Sequence, residues 1–184
     1  MKKLDRGFFN RNTLKVAQEL LGKFIVRRYG KKIITGKVVE TEAYMGPLDL
    51  ASHASRGKTP RTEIMFGKPG IAYIYLIYGM YYCFNVVTEK KSYPAAVLIR
   101  AIETSGNEKL ANGPGKLCYF FKIDKLLNGE DTTTSKKLWL EDRREKIKKS
   151  EIIARKRIGV DYAQHSQHYL WRFYIKDNLC VSKR

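Results

Sequence analysis

The stretch from residue 71 to residue 102 most constrains what this chain can fold into. It reads as three successive strands, at about 71 to 78, 82 to 88 and 95 to 102, rich in apolar, β-branched and aromatic residues. Within it, Tyr73-Ile74-Tyr75-Leu76-Ile77-Tyr78-Gly79-Met80-Tyr81-Tyr82 carries five of the twelve tyrosines. A purely apolar core has little use for so many phenolic hydroxyls, because each needs a partner once buried. Flat rings in such number suit stacking against nucleobases.

Charge supplies the partner for those rings. Lys and Arg number 36 against 18 Asp and Glu, a net charge of +18 on 184 residues. An excess of this size draws a protein to polyphosphate, so nucleic acid is the leading partner. A solvated basic face is the plain alternative. An anionic membrane fits less well, since the basic residues are spread along the chain and no strong amphipathic helix carries them. No stretch approaches the roughly 20 apolar residues of a membrane span. Met1-Lys2-Lys3-Leu4-Asp5-Arg6 is not followed by the apolar region of a secretory signal. Cys83, Cys118 and Cys180 are odd in number and far apart, which suits reduced thiols in the cytoplasm better than a disulfide framework.

The length suits one domain spanning residues 1 to 184, with ample chain for a core. Asn12 can cap a helix whose apolar positions Leu14, Ala17, Leu20 and Leu21 follow helical spacing, and Gly22 is placed to end it. From Lys23 to Glu42, Phe24-Ile25-Val26, Ile33-Ile34 and Val38-Val39 flank Gly30 and predict a hairpin. Residues 45 to 70, rich in Gly, Pro, Ser and Arg, read as a long functional loop. Gly113-Pro114-Gly115-Lys116 reads as a helix start whose free amides suit a phosphate. Residues 125 to 150 read as mostly loop with a short strand at Leu138-Trp139-Leu140, and two last strands are expected near 151 to 160 and 171 to 182. Strands outnumber helices without βαβ alternation. The expected fold is therefore α+β, a single compact domain with a curved, mainly antiparallel sheet flanked by helices.

Glu40 and Glu42 lie two apart on a predicted strand and so share a face, with Tyr44 following on that side. A carboxylate beside aromatic rings can serve as a general base; two solvated glutamates on an exposed face are the alternative. A metal nuclease would need more acidic ligands, and only Asp49 is close in sequence. His53 is either a ligand-facing ring or a surface residue. His165 and His168 lack the cysteine or carboxylate partners of a metal motif. No P-loop, GxGxxG or GxSxG motif is present.

Several blocks of the chain resemble one family. These are Val39-Glu40-Thr41-Glu42-Ala43-Tyr44, His53, Thr59-Pro60-Arg61, Met65-Phe66, Lys68-Pro69-Gly70 and the whole run from Tyr73 to Asn85. Val97-Leu98-Ile99-Arg100-Ala101, Gly113-Pro114-Gly115-Lys116-Leu117, Arg157-Ile158-Gly159-Val160 and Trp171-Arg172-Phe173-Tyr174 continue it in order. Together they resemble the alkyladenine (3-methyladenine) DNA glycosylases over nearly the whole chain, in the bacterial form without a long N-terminal extension. The stretch from Asp161 to Tyr169 departs from the family pattern.

The resemblance implies a monofunctional base-excision enzyme that flips a damaged purine from duplex DNA and hydrolyses its N-glycosidic bond. Glu42 would be the general base, with Arg100 and the main-chain carbonyl of Ile158 helping to hold the attacking water. Tyr44, His53 and Tyr75 would stack around the flipped base, and Tyr78 would fill the space it left. Asn85 would crowd the 2-amino group of normal guanine, and the His53 amide would favour an acceptor at the purine 6-position. Thr59, Arg61 and Lys116 would contact phosphates. The resemblance calls for no metal and no cofactor, and implies a monomer acting on DNA in the bacterial cytoplasm. A non-catalytic nucleic-acid-binding module is the alternative, and Glu42 discriminates, because a pure binder gains nothing from a carboxylate facing phosphates.

Overall fold

The computed structural model describes residues 1 to 105 and 110 to 184. A dipeptide strand β1 (Lys2–Lys3) leads into a one-turn helix α1 (Arg6–Phe9), capped by the Asp5 carboxylate accepting from the Phe8 amide. Helix α2 (Thr13–Glu19) follows, with the Asn12 side chain accepting from the amides of Leu14 and Lys15. Those bonds satisfy donors that a helix start leaves open. Gly22, at φ +80°, turns the chain into β2 (Phe24–Tyr29). Gly30, at φ +58°, then closes a tight hairpin in which Tyr29 pairs with Lys32.

The second arm of that hairpin is β3 (Lys32–Met45), a 14-residue strand on which the architecture turns. It is followed by β4 (Ala72–Ile77), β5 (Tyr81–Val87), β6 (Ala95–Glu103), helix α3 (Pro114–Phe121), β7 (Leu138–Asp142), β8 (Ile152–Arg155) and β9 (Arg172–Ile175). The sheet order is β1-β7-β2-β3-β6-β5-β4, with β9 on β3 and β8 on β9, and every pairing is antiparallel. The fold is α+β with a mainly antiparallel open sheet, as the strand count predicted. No helix among the described residues is long and apolar enough to cross a membrane.

Two neighbours share one edge of β3. Its first half pairs with β2 from Lys32 to Lys37, and Glu40 to Glu42 pair with β9. The change of partner coincides with register shifts against β6 between Val38 and Thr41. Such an irregularity bends a strand and re-aims its side chains. On the apolar face, α2 contributes Val16 and Ala17, its C-cap contributes Leu20, and α3 contributes Leu117, Cys118 and Phe121, to one buried cluster with Ile25, Val38, Phe84 and Ile99. The Thr41 hydroxyl donates to the Ala17 carbonyl at 2.8 Å and ties β3 to α2.

The sequence reading differs from the structure at its margins. Helix α1 and strand β1 were not anticipated, because four residues and two residues carry no usable periodicity. The segment read as loop from 45 to 70 contains two 3₁₀ turns, His53–Arg56 and Glu63–Phe66. Strand β7 runs two residues past the expected tripeptide, because Asp142 and Glu141 pair with β1. The last two strands are shorter than expected. Beyond Arg155 the chain leaves the sheet so that Arg157 can turn inward onto Asp49, and beyond Ile175 the positive φ of Asp177 turns it away.

A β-carbon on Gly36 of β3 would lie 2.2 Å from a methyl of Ile102 and 3.3 Å from the Phe121 ring. Gly36→Ala is therefore expected to destabilise the protein by about 1–3 kcal/mol through overpacking. Urea unfolding should register this as a lower midpoint at unchanged slope.

Candidate active site

Glu42 lies on β3 beyond the bulge, and its carboxylate is fully buried. Three groups from three parts of the chain meet it. The Tyr44 hydroxyl donates to Oε2 at 2.9 Å, the Arg100 guanidinium on β6 reaches Oε2 at 3.3 Å, and the Ile158 main-chain amide donates to Oε1 at 2.8 Å. The sequence reading gave Ile158 a role through its carbonyl; the group that meets Glu42 is its N–H. Ile158 can arrive there because Arg157, just before it, is locked inside. Arg157 forms a bidentate pair with Asp49 at 2.6 and 2.7 Å and donates to the carbonyls of Ala43 and Ser166. Its guanidinium also lies against the rings of Tyr44 and Trp171. Burial opposes the Arg157 charge, and the Asp49 contacts outweigh it, so its pKa rises. Asp49 is therefore the partner of an arginine.

Glu40 is the second buried carboxylate of the pair. Arg172 on β9 donates to its Oε1 at 2.9 Å and the Ser182 amide to its Oε2 at 2.8 Å. The Arg100 Nε stands 3.5 Å from Glu40 Oε1. Arg100 thus spans both glutamates, as two residues of one strand face require. Burial works against its charge, and Glu42 and then Glu40 more than offset this, raising its pKa.

Above Glu42 is a pocket of about 210 Å³. Tyr44, His53, Arg61, Tyr75, Tyr78, Asn85, Arg100 and Ile158 all border it, so eight of the site residues expected from sequence converge on one space. Glu42 itself sits immediately behind that lining, reached through Tyr44, Arg100 and Ile158. His53 and Tyr75 meet edge to face at 4.5 Å, and Tyr73 tilts against Tyr75 at 5.3 Å. The His53 Nδ1 shares a 2.9 Å hydrogen bond with the Tyr73 hydroxyl. Burial, then Arg61 and Arg56, lowers the His53 pKa to about 4. Burial and then the Glu42 carboxylate push the Tyr44 hydroxyl well up; burial and then Cys83 do the same to Tyr75. The rings of His53, Tyr44 and Tyr75 are thus neutral near pH 7.

Asn85 is buried, its amide N–H groups donating to the carbonyls of Tyr73 and Cys83. Tyr78 stands apart from the cage at the tip of the β4–β5 hairpin, 81% exposed, with φ +52°. The three residues expected at phosphates behave differently from one another. Arg61 borders the pocket and lies over the Tyr75 ring at 5.3 Å. Thr59 is exposed and shares hydrogen bonds with Thr62 in a turn. Lys116 lies outside the pocket, near the start of α3, donating to Asn112. His165 and His168 are on a separate 3₁₀ turn. Among the described residues no group of three or more His, Cys, Asp or Glu is placed to hold a metal ion.

The pairing of Arg157 with Asp49 and of Arg172 with Glu40, and the place of Cys83 in the pocket wall, have no counterpart in the sequence reading. The one local signal was a charged residue inside an apolar run, as with Arg172 between Trp171 and Phe173.

An antiparallel α+β fold, a net charge of +18 and a ring-lined pocket over a buried carboxylate suit an enzyme that handles nucleobases. Comparison with known proteins gives its family. The family model described as methylpurine-DNA glycosylase matches residues 7–179. A protein of Methanocella arvoryzae is 50% identical over 198 residues, covering 100% of this chain and 98% of its own. One from Legionella pneumophila is 48% identical over 184 residues, covering both chains fully, and one from Clostridium perfringens strain SM101 is 46% identical over 204 residues, covering 99% of this chain and all of its own. All three are named "Putative 3-methyladenine DNA glycosylase". The chain belongs to the methylpurine-DNA glycosylase family, whose members are hydrolases of N-glycosyl bonds in DNA.

An NMR titration should find the His53 imidazole neutral down to about pH 4. Since the unfolded ring titrates near its ordinary 6.5, the unfolded chain binds the extra proton between about pH 6.5 and 4, and acidification across that window costs stability. Separately, Glu40→Gln leaves Arg172 buried with one anion fewer. Denaturant unfolding should report a loss of about 3–5 kcal/mol, the usual cost of breaking a buried pair from one side.

Proposed function

We propose that this protein is a monofunctional glycosylase that flips a damaged purine out of duplex DNA and hydrolyses its N-glycosidic bond. The observation that carries this reading is the buried Glu42 carboxylate, held by Tyr44, Arg100 and the Ile158 amide beneath a cage of neutral rings. Flipped purines of the 3-methyladenine, 7-methylguanine, hypoxanthine and ethenoadenine class would stack among Tyr44, His53 and Tyr75. Asn85 would crowd the 2-amino group of normal guanine, while the His53 amide favours an acceptor at position 6. Tyr78, exposed at a hairpin tip, would enter the duplex as the wedge that offsets the few kcal/mol of unstacking. Arg61, Thr59 and Lys116 would meet phosphates. The enzyme works as a monomer, in the cytoplasm, where its three buried cysteines stay reduced.

As the bond from C1′ to the base nitrogen breaks, its electron pair leaves with the base and positive charge develops on the sugar. Glu42 stabilises that charge and takes a proton from the water whose oxygen bonds to C1′. Arg100 and the Ile158 backbone fix the carboxylate's direction. An N3- or N7-alkylated purine is already cationic and departs neutral; hypoxanthine must gain a proton. The products are a free base and an abasic site in an unbroken strand. No step calls for a metal, a redox cofactor or a lysine adduct.

Glu42→Gln keeps the side chain's shape but removes the base. Excision from lesion-bearing duplex oligonucleotides should fall about a hundred- to ten-thousandfold, with lesion binding retained or slightly tighter. Excision by the wild-type protein should be unaffected by chelator and should break the strand only after alkali. Near-normal excision by Glu42→Gln, or a protein–DNA adduct trapped with borohydride, would show that a different mechanism operates.

A further inference from the structure

A second concavity lies on the other side of the hairpin that carries Tyr78. The pocket over Glu42 is bordered by Tyr78 and Pro114, whereas this groove, of about 490 Å³, is bordered by Met80, Tyr81, Gly115 and Lys116. The hairpin tip and the first turn of α3 thus form a partition with one concavity on each side. The partition is tightly joined, because a β-carbon on Gly115 would come within 2.9 Å of the Tyr81 ring. Glycine there lets the ring lie directly on the helix backbone.

The far wall is made of flat rings and positive charge. Tyr119 is 77% exposed on the outer face of α3, Tyr29 54% exposed at the end of β2, and Tyr81 50% exposed. With Met80 and Leu110, they put five of the fourteen large exposed hydrophobic residues of the described structure into this one groove. Clustering of this kind marks an interaction surface, whereas scattered exposed side chains do not. Lys122 holds its ammonium 4.4 Å from the Tyr119 ring, and Lys116 lies on the same wall. Asp124 is the one acidic residue of the lining, and its carboxylate is occupied by the Leu126 amide. Exposed rings interleaved with lysines provide stacking and backbone neutralisation together, the combination that takes an unpaired nucleic-acid strand.

We propose that this groove holds the strand opposite the lesion, stacking the base orphaned by flipping near Tyr119 and Tyr81 with its phosphates near Lys122 and Lys116. The inference rests on the reading of Tyr78 as the wedge. If Tyr78 occupies the gap in the duplex and the extruded purine lies on the Glu42 side of the partition, the partner strand is left to the other side.

The test uses a duplex containing a reduced abasic-site analogue, which is bound without being cut, and the same lesion strand alone. Tyr119→Ala should raise the duplex Kd about tenfold, the effect of removing one base-stacking ring, and leave the single-strand Kd unchanged. Tyr119→Phe should restore it. Lys122→Gln should lower the log–log salt slope for the duplex by about one, again with no change on the single strand. Unchanged duplex affinity would overturn the proposal, and so would an equal loss on duplex and single strand, which would assign the groove to the lesion strand. Wild-type excision is scored in parallel. Its absence would sink the glycosylase reading, while excision with a silent Tyr119→Ala would sink the groove alone.

Discussion

Arg100 held between two buried glutamates is the interaction on which the rest of this structure depends. The desolvation of one carboxylate costs several kcal/mol, and here two are buried side by side on one strand face. They are tolerable because Arg100 and Arg172 supply matching charge from the strands on either side of β3, and because main-chain amides of Ile158 and Ser182 occupy the remaining oxygens. Each partner comes from a different segment. β3, β6, β9, the loop after β8 and the C-terminal tail must therefore all be in place before both carboxylates have their partners. Arg172 also donates to the Lys183 carbonyl, which fixes the tail a second time.

The same economy separates the tasks of the pocket. Charge is confined to its floor and to Arg61 at its border, while the rings that would embrace a base are neutral. His53 is neutral through burial and the nearby arginines, and Tyr44 and Tyr75 through burial and neighbouring groups. Neutral π-faces attract a cationic alkylated purine and still stack on a neutral one. An imidazolium in the His53 position would repel the cationic class. A low His53 pKa is thus what the proposed use of the cage on both would require.

The parts legible in the sequence were those encoded over short distances. The ExE spacing on a strand put Glu40 and Glu42 on one face, the tyrosine run put Tyr73 and Tyr75 into the pocket wall and Tyr78 at a hairpin tip, and Asn12, Gly22 and Gly30 marked a helix cap and two turns that the structure contains. What could not be read was pairing across long separations. Arg157 meets Asp49 across 108 positions, and Arg172 meets Glu40 across 132. No local pattern announces such partners, because a lone arginine beside apolar residues is equally compatible with a side chain reaching to solvent. The early end of β8 has the same origin, since it is decided by Arg157 turning onto Asp49.

Tyr78 carries a local cost that the fold alone does not explain. A non-glycine residue at φ +52° pays roughly 1–2 kcal/mol relative to the right-handed region. Gly79 next to it also has positive φ, and the Met80 amide donates to the Ile77 carbonyl, so the hairpin takes a tight turn with two left-handed residues. A second glycine, or an asparagine, would make that turn at less cost. Tyrosine keeps the strained position and leaves most of its ring in solvent, where it gains no burial. Strain held without a packing return is what a residue shaped for a ligand displays. It sits between the pocket over Glu42 and the aromatic groove, the position that the proposed insertion into a duplex would require.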